Sequence, residues 1–84
     1  MEIDEEKIDE MILALLYLNF WNDHDVMRAW KSFDWDSMNR LYEKGFIDNP
    51  MSKAKSVVMT EDGQARAEEL FTRYFGSELS KKGK

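Results

Sequence analysis

The stretch Arg40-Leu-Tyr-Glu-Lys-Gly-Phe-Ile-Asp48, followed closely by Lys55-Ser-Val-Val-Met-Thr-Glu-Asp-Gly63, constrains the fold of this 84-residue chain more than any other part. Gly45 stands where a helix closes on a left-handed residue, and Phe46 after it meets Leu41, the usual apolar contact of that stop. Ile47 then begins an extended arm, which Asn49-Pro50 bends because proline cannot donate to a ladder. Ser56 to Met59 returns as a strand, with Val57 and Met59 on one face and Val58 on the other. Thr60 caps a new helix, with Glu61 and Asp62 in its first turn.

The flanking segments read as further helices. Asp4 is an N-cap, Ile3 and Ile8 have the spacing of a hydrophobic staple, and Ile8, Met11, Ile12, Leu15 and Leu16 form a 3.6-residue stripe. This first helix runs to Asn19 or Phe20, where Asn22-Asp-His-Asp25 breaks it. Asp25 caps a short second helix, Val26 to Lys31, with Val26, Met27 and Trp30 inward. Asp34 caps a third, Trp35 to Lys44, with apolar Trp35, Met38, Leu41 and Tyr42. Ala67, Leu70, Phe71, Tyr74 and Phe75 line the last helix, which Gly76 ends. The order H-H-H-β-β-H predicts a mainly α domain with a small β-hairpin, a winged helix-turn-helix over residues 1–76, and a flexible polar tail at 77–84. An all-helical bundle is the alternative, and it leaves Asn49-Pro50 and Val57-Val58 as an irregular loop.

Three segments resemble a family of small, uncharacterised bacterial proteins of unknown function. They are Arg28-Ala-Trp-Lys-Ser-Phe-Asp-Trp-Asp36, Arg40-Leu-Tyr-Glu-Lys-Gly-Phe-Ile47 and Ala54-Lys-Ser-Val-Val-Met-Thr-Glu-Asp-Gly63. The Lys-Gly-Phe-Ile and Thr-Glu-Asp-Gly pieces are also similar to corresponding places in winged-helix transcriptional regulators. The resemblance implies a bacterial origin and a winged-helix fold, and brings no activity or assigned residues.

Charge and chemistry narrow the function. Six of the first ten residues are acidic against Lys7, which accounts for the whole net charge of −5. Acids at a helix start complement its dipole. No body-wide positive field remains to draw in nucleic acid. The chain has no cysteine. The apolar run Met11 to Leu18 is far shorter than the roughly 20 residues of a membrane span. A cytoplasmic protein without a membrane contact is expected. The lone His24 lies between Asp23 and Asp25, neighbours that point away from each other on any regular element, so a polar loop is expected there rather than a metal site. Nothing pairs a nucleophile with a base, and no glycine-rich phosphate loop occurs, so no enzyme and no cofactor is expected.

Two functions fit the expected fold. A DNA-binding regulator would place the third helix in the major groove of double-stranded DNA, with Ser37, Asn39 and Arg40 toward base edges, Lys44 near the backbone, and Arg28, Lys31, Lys53 and Lys55 on phosphates. Residues 24–58 carry six bases and five acids, a thin balance for such a face. A protein-interaction or regulatory adaptor module is the preferred function, because three tryptophans around one corner are hard to bury together. Leu13, Tyr17, Phe20, Trp21 and Trp35 are its candidate contacts. A first helix apolar on all sides also suggests a homodimer through the first or last helix. Trp30 and Leu41 are expected in the core.

Overall fold

The computed structural model describes residues 1–76, so the expected tail at 77–84 lies outside the described residues. Three helices and a small three-stranded antiparallel sheet form a mixed α/β fold: α1 (Glu5–Leu16), a 3₁₀ turn (Tyr17–Asn19), β1 (Trp21–Asp23), β2 (Val26–Trp30), α2 (Trp35–Glu43), β3 (Ser56–Val58) and α3 (Glu61–Phe75). The strand order is β1-β2-β3.

Each helix starts on the cap its sequence supplies. The side chains of Asp4, Asp34 and Thr60 accept from the backbone N–H groups of Lys7, Ser37 and Gly63. The end of α2 is a two-bond glycine stop: Gly45 N–H donates to the Tyr42 carbonyl, Phe46 N–H to that of Leu41, and Gly45 has φ of 84°. Thr60 Oγ1 then donates to the Gly45 carbonyl and Thr60 N–H to that of Phe46, which fastens the start of α3 onto the end of α2.

One expected element is different. Val26 to Lys31 is not a helix; β2 occupies it, and the chain order is α-β-β-α-β-α. Asp25 caps no helix. His24 and Asp25 have φ of 53° and 71° and join paired residues Asp23 and Val26, which makes a two-residue hairpin turn of the mirror-image type that suits strand twist. The Asn22 side chain accepts from Asp25 N–H and holds the turn. β2 therefore lies between β1 and β3, with Arg28 opposite both Trp21 and Val58. Alternation decides the faces: Met27 and Ala29 turn to the core with Val57, and Val26, Arg28 and Trp30 turn outward. The expected helix pair of a helix-turn-helix is not formed, because the element before α2 is a strand. The first arm of the expected wing is reduced to one bridge, Ile47 to Met59.

The core lies between α1, α3 and the inner sheet face. Ile12, Leu13, Ala14, Leu16, Ala29, Met38, Leu41, Ile47, Val57, Met59, Ala67 and Leu70 are buried. Leu41 is buried as expected, whereas Trp30 is 51% exposed, because the β2 pleat sends it outward. Among the described residues, no helix is long and apolar enough to cross a membrane.

Candidate interaction surface

The outer sheet face carries large side chains and an unneutralised cation. Trp21 on β1 and Trp30 on β2 sit diagonally, with ring centroids 4.6 Å apart and planes 32° apart. Such diagonal neighbours lie within reach of aromatic side chains on one sheet face. The pair is open to water through Trp30. Arg28 is opposite Trp21 in register and two residues before Trp30 on β2. Its Nε donates to Ser56 Oγ at 2.7 Å and its Nη2 to the Ser56 carbonyl at 3.3 Å. Both partners are neutral, so the guanidinium is held in place and keeps its charge. Beyond Trp30, Lys31 N–H donates to the Lys55 carbonyl, and Lys31 Nζ donates to the carbonyl and hydroxyl of Ser52. Lys53 follows Ser52 in the chain, and Lys53 and Lys55 are both exposed.

The eight residues named as DNA contacts thus divide. The structure brings Arg28, Lys31, Lys53 and Lys55 to one end of the sheet. Ser37, Asn39, Arg40 and Lys44 ride on α2, where three of them are bound into a cluster with α1. Arg40 donates through Nε and Nη2 to the Asp9 carboxylate at 2.8–3.0 Å and through Nη2 to Ser37 Oγ at 3.1 Å. Lys44 Nζ donates to Asp9 and to Glu6, both at 2.9 Å. Asn39 donates to Glu43 at 3.3 Å. Asp9 is only 2% exposed. Burial pushes its carboxyl up, but the hydrogen bonds and charges of Arg40 and Lys44 outweigh that and hold it below the usual carboxylate range. Among the described residues, no buried side-chain nitrogen or oxygen lacks a hydrogen-bond partner. The cluster holds α2 to α1. No signal in the sequence linked Asp9 to Arg40, because the pairing is purely tertiary.

The candidate protein contacts divide as well. Trp21 belongs to the sheet face, and Trp35 is 51% exposed at the first turn of α2. Leu13 is buried, contrary to the exposed stripe expected of the first helix. Tyr17 and Phe20 pack against the core, with Tyr17 5.4 Å from Phe20 and 5.0 Å from Phe71 of α3. α3 thus covers the face that was to meet a second copy.

Two other places could hold a ligand. A cleft of about 140 Å³ lies between the three helices, lined by Glu6, Asp9, Glu10, Lys44 and Arg66 together with apolar side chains. Its charges face one another: Lys44 pairs with Glu6 and Asp9, and Arg66 with Glu10. His24 is almost fully exposed and its Nδ1 lies 2.9 Å from Asp23. Among the described residues no group of three or more His, Cys, Asp or Glu side chains could hold a metal ion.

Comparison with known proteins places the chain in a family. The family described as "Domain of unknown function (DUF6429)" matches residues 4–77. The chain is similar to the uncharacterized protein y4hR of Sinorhizobium fredii (strain NBRC 101917 / NGR234), 52% identical over 75 residues that cover 89% of this chain and 97% of the relative. No solved structure matches. The chain belongs to the DUF6429 family.

Proposed function

We propose that this member of the DUF6429 family is a non-catalytic interaction module of the bacterial cytoplasm, which docks an anionic partner on the outer face of its sheet. One observation carries the proposal: two stacked tryptophans, open to solvent through Trp30, share that face with Arg28, whose charge no carboxylate among the described residues neutralises. Tryptophan and arginine are the side chains that dominate binding hot spots, because they combine large apolar area with a directed polar group. A small domain gains stability by covering Trp30, and leaving it half exposed costs contacts the core could use.

The experiment places a photo-crosslinking side chain at position 30 and, separately, at Glu68 on the outside of α3, in the native host. A partner crosslinked from position 30, absent from position 68, and displaced by excess wild type but not by excess Trp30→Ala, is the expected result. Equal crosslinking from both positions would overturn the proposal.

Double-stranded DNA is the second reading, on a separate observation. Lys53 and Lys55 lie in the excursion between Ile47 and β3, where the wing of a winged helix carries its phosphate contacts, and among the described residues no ion pair neutralises either. In that reading α2 would need Arg40 and Lys44 released from Asp9 to meet DNA, a loss of three hydrogen bonds from Arg40 alone. The sheet face requires no such rearrangement, so it is preferred.

A further inference from the structure

The distribution of compensated and uncompensated charge names the chemistry of that partner. On the helices Arg40, Lys44, Arg66 and Arg73 each lie within 4.0 Å of a carboxylate. Among the described residues, the cations with no carboxylate at that distance are Lys7, which binds the Tyr74 hydroxyl, and the four at the Trp30 end of the sheet: Arg28, Lys31, Lys53 and Lys55. Residues 26–33 and 50–58, which build this end, contain no acid. The nearest acids in sequence are Asp48, which accepts from Val58 N–H at 2.8 Å beside β3, and Asp34, which accepts from the N–H and hydroxyl of Ser37 at the start of α2. Asp23 and Asp25 sit at the hairpin turn, four residues along β2 from Trp30, about 13 Å at strand spacing, although Asp23 is only two residues, about 7 Å, from Trp21 along β1. Among the described residues, four of the five Lys and Arg side chains without a carboxylate partner therefore belong to one end of the sheet, the end that carries Trp30 of the stacked indole pair.

Resting on the docking surface proposed above, we infer that this end of the sheet is a binding site for single-stranded nucleic acid, with a base stacking on Trp30 and phosphates lying against Arg28, Lys31, Lys53 and Lys55. Each part of the site answers one part of that ligand. An unpaired base has an open π-face, and base-on-aromatic stacking is sequence-tolerant because every base has one. A duplex hides those faces inside its stack, and a polyglutamate peptide has no ring to offer. Arg28 is pinned by Ser56 beside the indoles, so its fixed planar guanidinium can take a phosphate oxygen without first ordering itself. Lys53 and Lys55 are exposed point charges suited to a backbone that varies in path, and Lys31 is steadied by Ser52. Affinity is modest, since only four cations engage.

The test is an anisotropy titration of the full chain with labelled single strands of about a dozen nucleotides, a length that covers one small binding face. A duplex of the same length and a polyglutamate peptide form the other arms. The single strand binds, and the duplex and the peptide bind more weakly. With four phosphates neutralised on a single strand, log K falls with log salt at a slope of about −3, a loss of about 50-fold between about 50 and about 200 mM. Trp30→Ala weakens binding about 10-fold or more through the lost stack. Lys53→Ala with Lys55→Ala, both exposed and remote from the core, reduces the salt slope by about 1 or more while the thermal melt is unchanged. Three results overturn the inference. Single-strand binding indifferent to Trp30→Ala places the site elsewhere. Binding of polyglutamate or duplex as tight as the single strand, and equally dependent on Trp30, leaves the docking surface in place and removes its assignment to unpaired bases. No binding of any arm at tens of micromolar removes the assignment too, while the crosslink from position 30 still decides the docking surface by itself.

Discussion

Arg40 and Asp9 stand 31 residues apart and share three hydrogen bonds, Nε to both carboxylate oxygens and Nη2 to one of them, at 2.8–3.0 Å. With Lys44 on the second oxygen, this carboxylate is the joint between α1 and α2. Asp9→Ala removes the joint and leaves two cations facing each other. Removing one partner of a buried ion pair is strongly destabilising. Arg40 and Lys44 keep partial access to water, which places the expected loss at the low end of that range, about 3 kcal/mol. Urea unfolding of the variant against wild type measures it.

The same carboxylate sets an acid limb. Its folded value lies below the ordinary 3.8, so its stabilisation is fully present above that value and is lost as pH falls through the folded one. Asp34, held low first by the Ser37 hydroxyl and then by the Ser37 N–H, acts in the same direction. The stability difference between wild type and Asp9→Asn stays constant from about pH 7 to about pH 5 and shrinks below about pH 4. A difference that grows on acidification would contradict the pairing.

Gly63 is required by contact and Gly45 by conformation. A Cβ at Gly63 would overlap the carbonyl oxygen of Phe46, the same carbonyl that accepts from Thr60 N–H. Gly63→Ala must part α3 from the end of α2, an overpacking cost of about 2 kcal/mol or more. At Gly45 there is open space but φ is 84°, so Gly45→Ala loses about 1–2 kcal/mol through backbone strain alone. Asparagine, which tolerates the left-handed region, restores part of the Gly45 loss and none of the Gly63 loss. Thermal melts of the four variants decide this.

Leu41 and Trp30 separate core from surface. Leu41→Ala creates a cavity and costs about 2–5 kcal/mol. Trp30→Ala removes an exposed ring and its stack on Trp21, worth about 1 kcal/mol. A melt in which the tryptophan variant falls further than the leucine variant would invert the assignment of faces on β2.

Self-association through α1 is not expected, because Leu13 is buried and Tyr17 and Phe20 pack internally with Phe71. Sedimentation velocity over a concentration series should show one species at the chain mass of 10.0 kDa. A concentration-dependent dimer would show that a different face pairs.

Local signals in the sequence determined α1, α2 and α3 with their caps, the glycine stop at Gly45, and the alternation of β3. Each rests on residues within one turn or one pleat of one another, where backbone geometry and side-chain chemistry suffice. The segment Val26 to Trp30 was ambiguous at that range: Val26, Met27 and Trp30 have helical spacing and Asp25 is a good cap, yet the same residues alternate cleanly as a strand. Tertiary structure chose the strand, because β3 offers β2 a ladder and the core takes Met27 and Ala29, and that choice turned Trp30 outward. It also drew Arg40 and Lys44 onto Asp9 and brought the segments of Arg28, Lys31, Lys53 and Lys55 to the Trp30 end of the sheet. The sequence supplied every one of those charges, but which are neutralised depends on distances between residues tens of positions apart, and only the folded chain sets those distances.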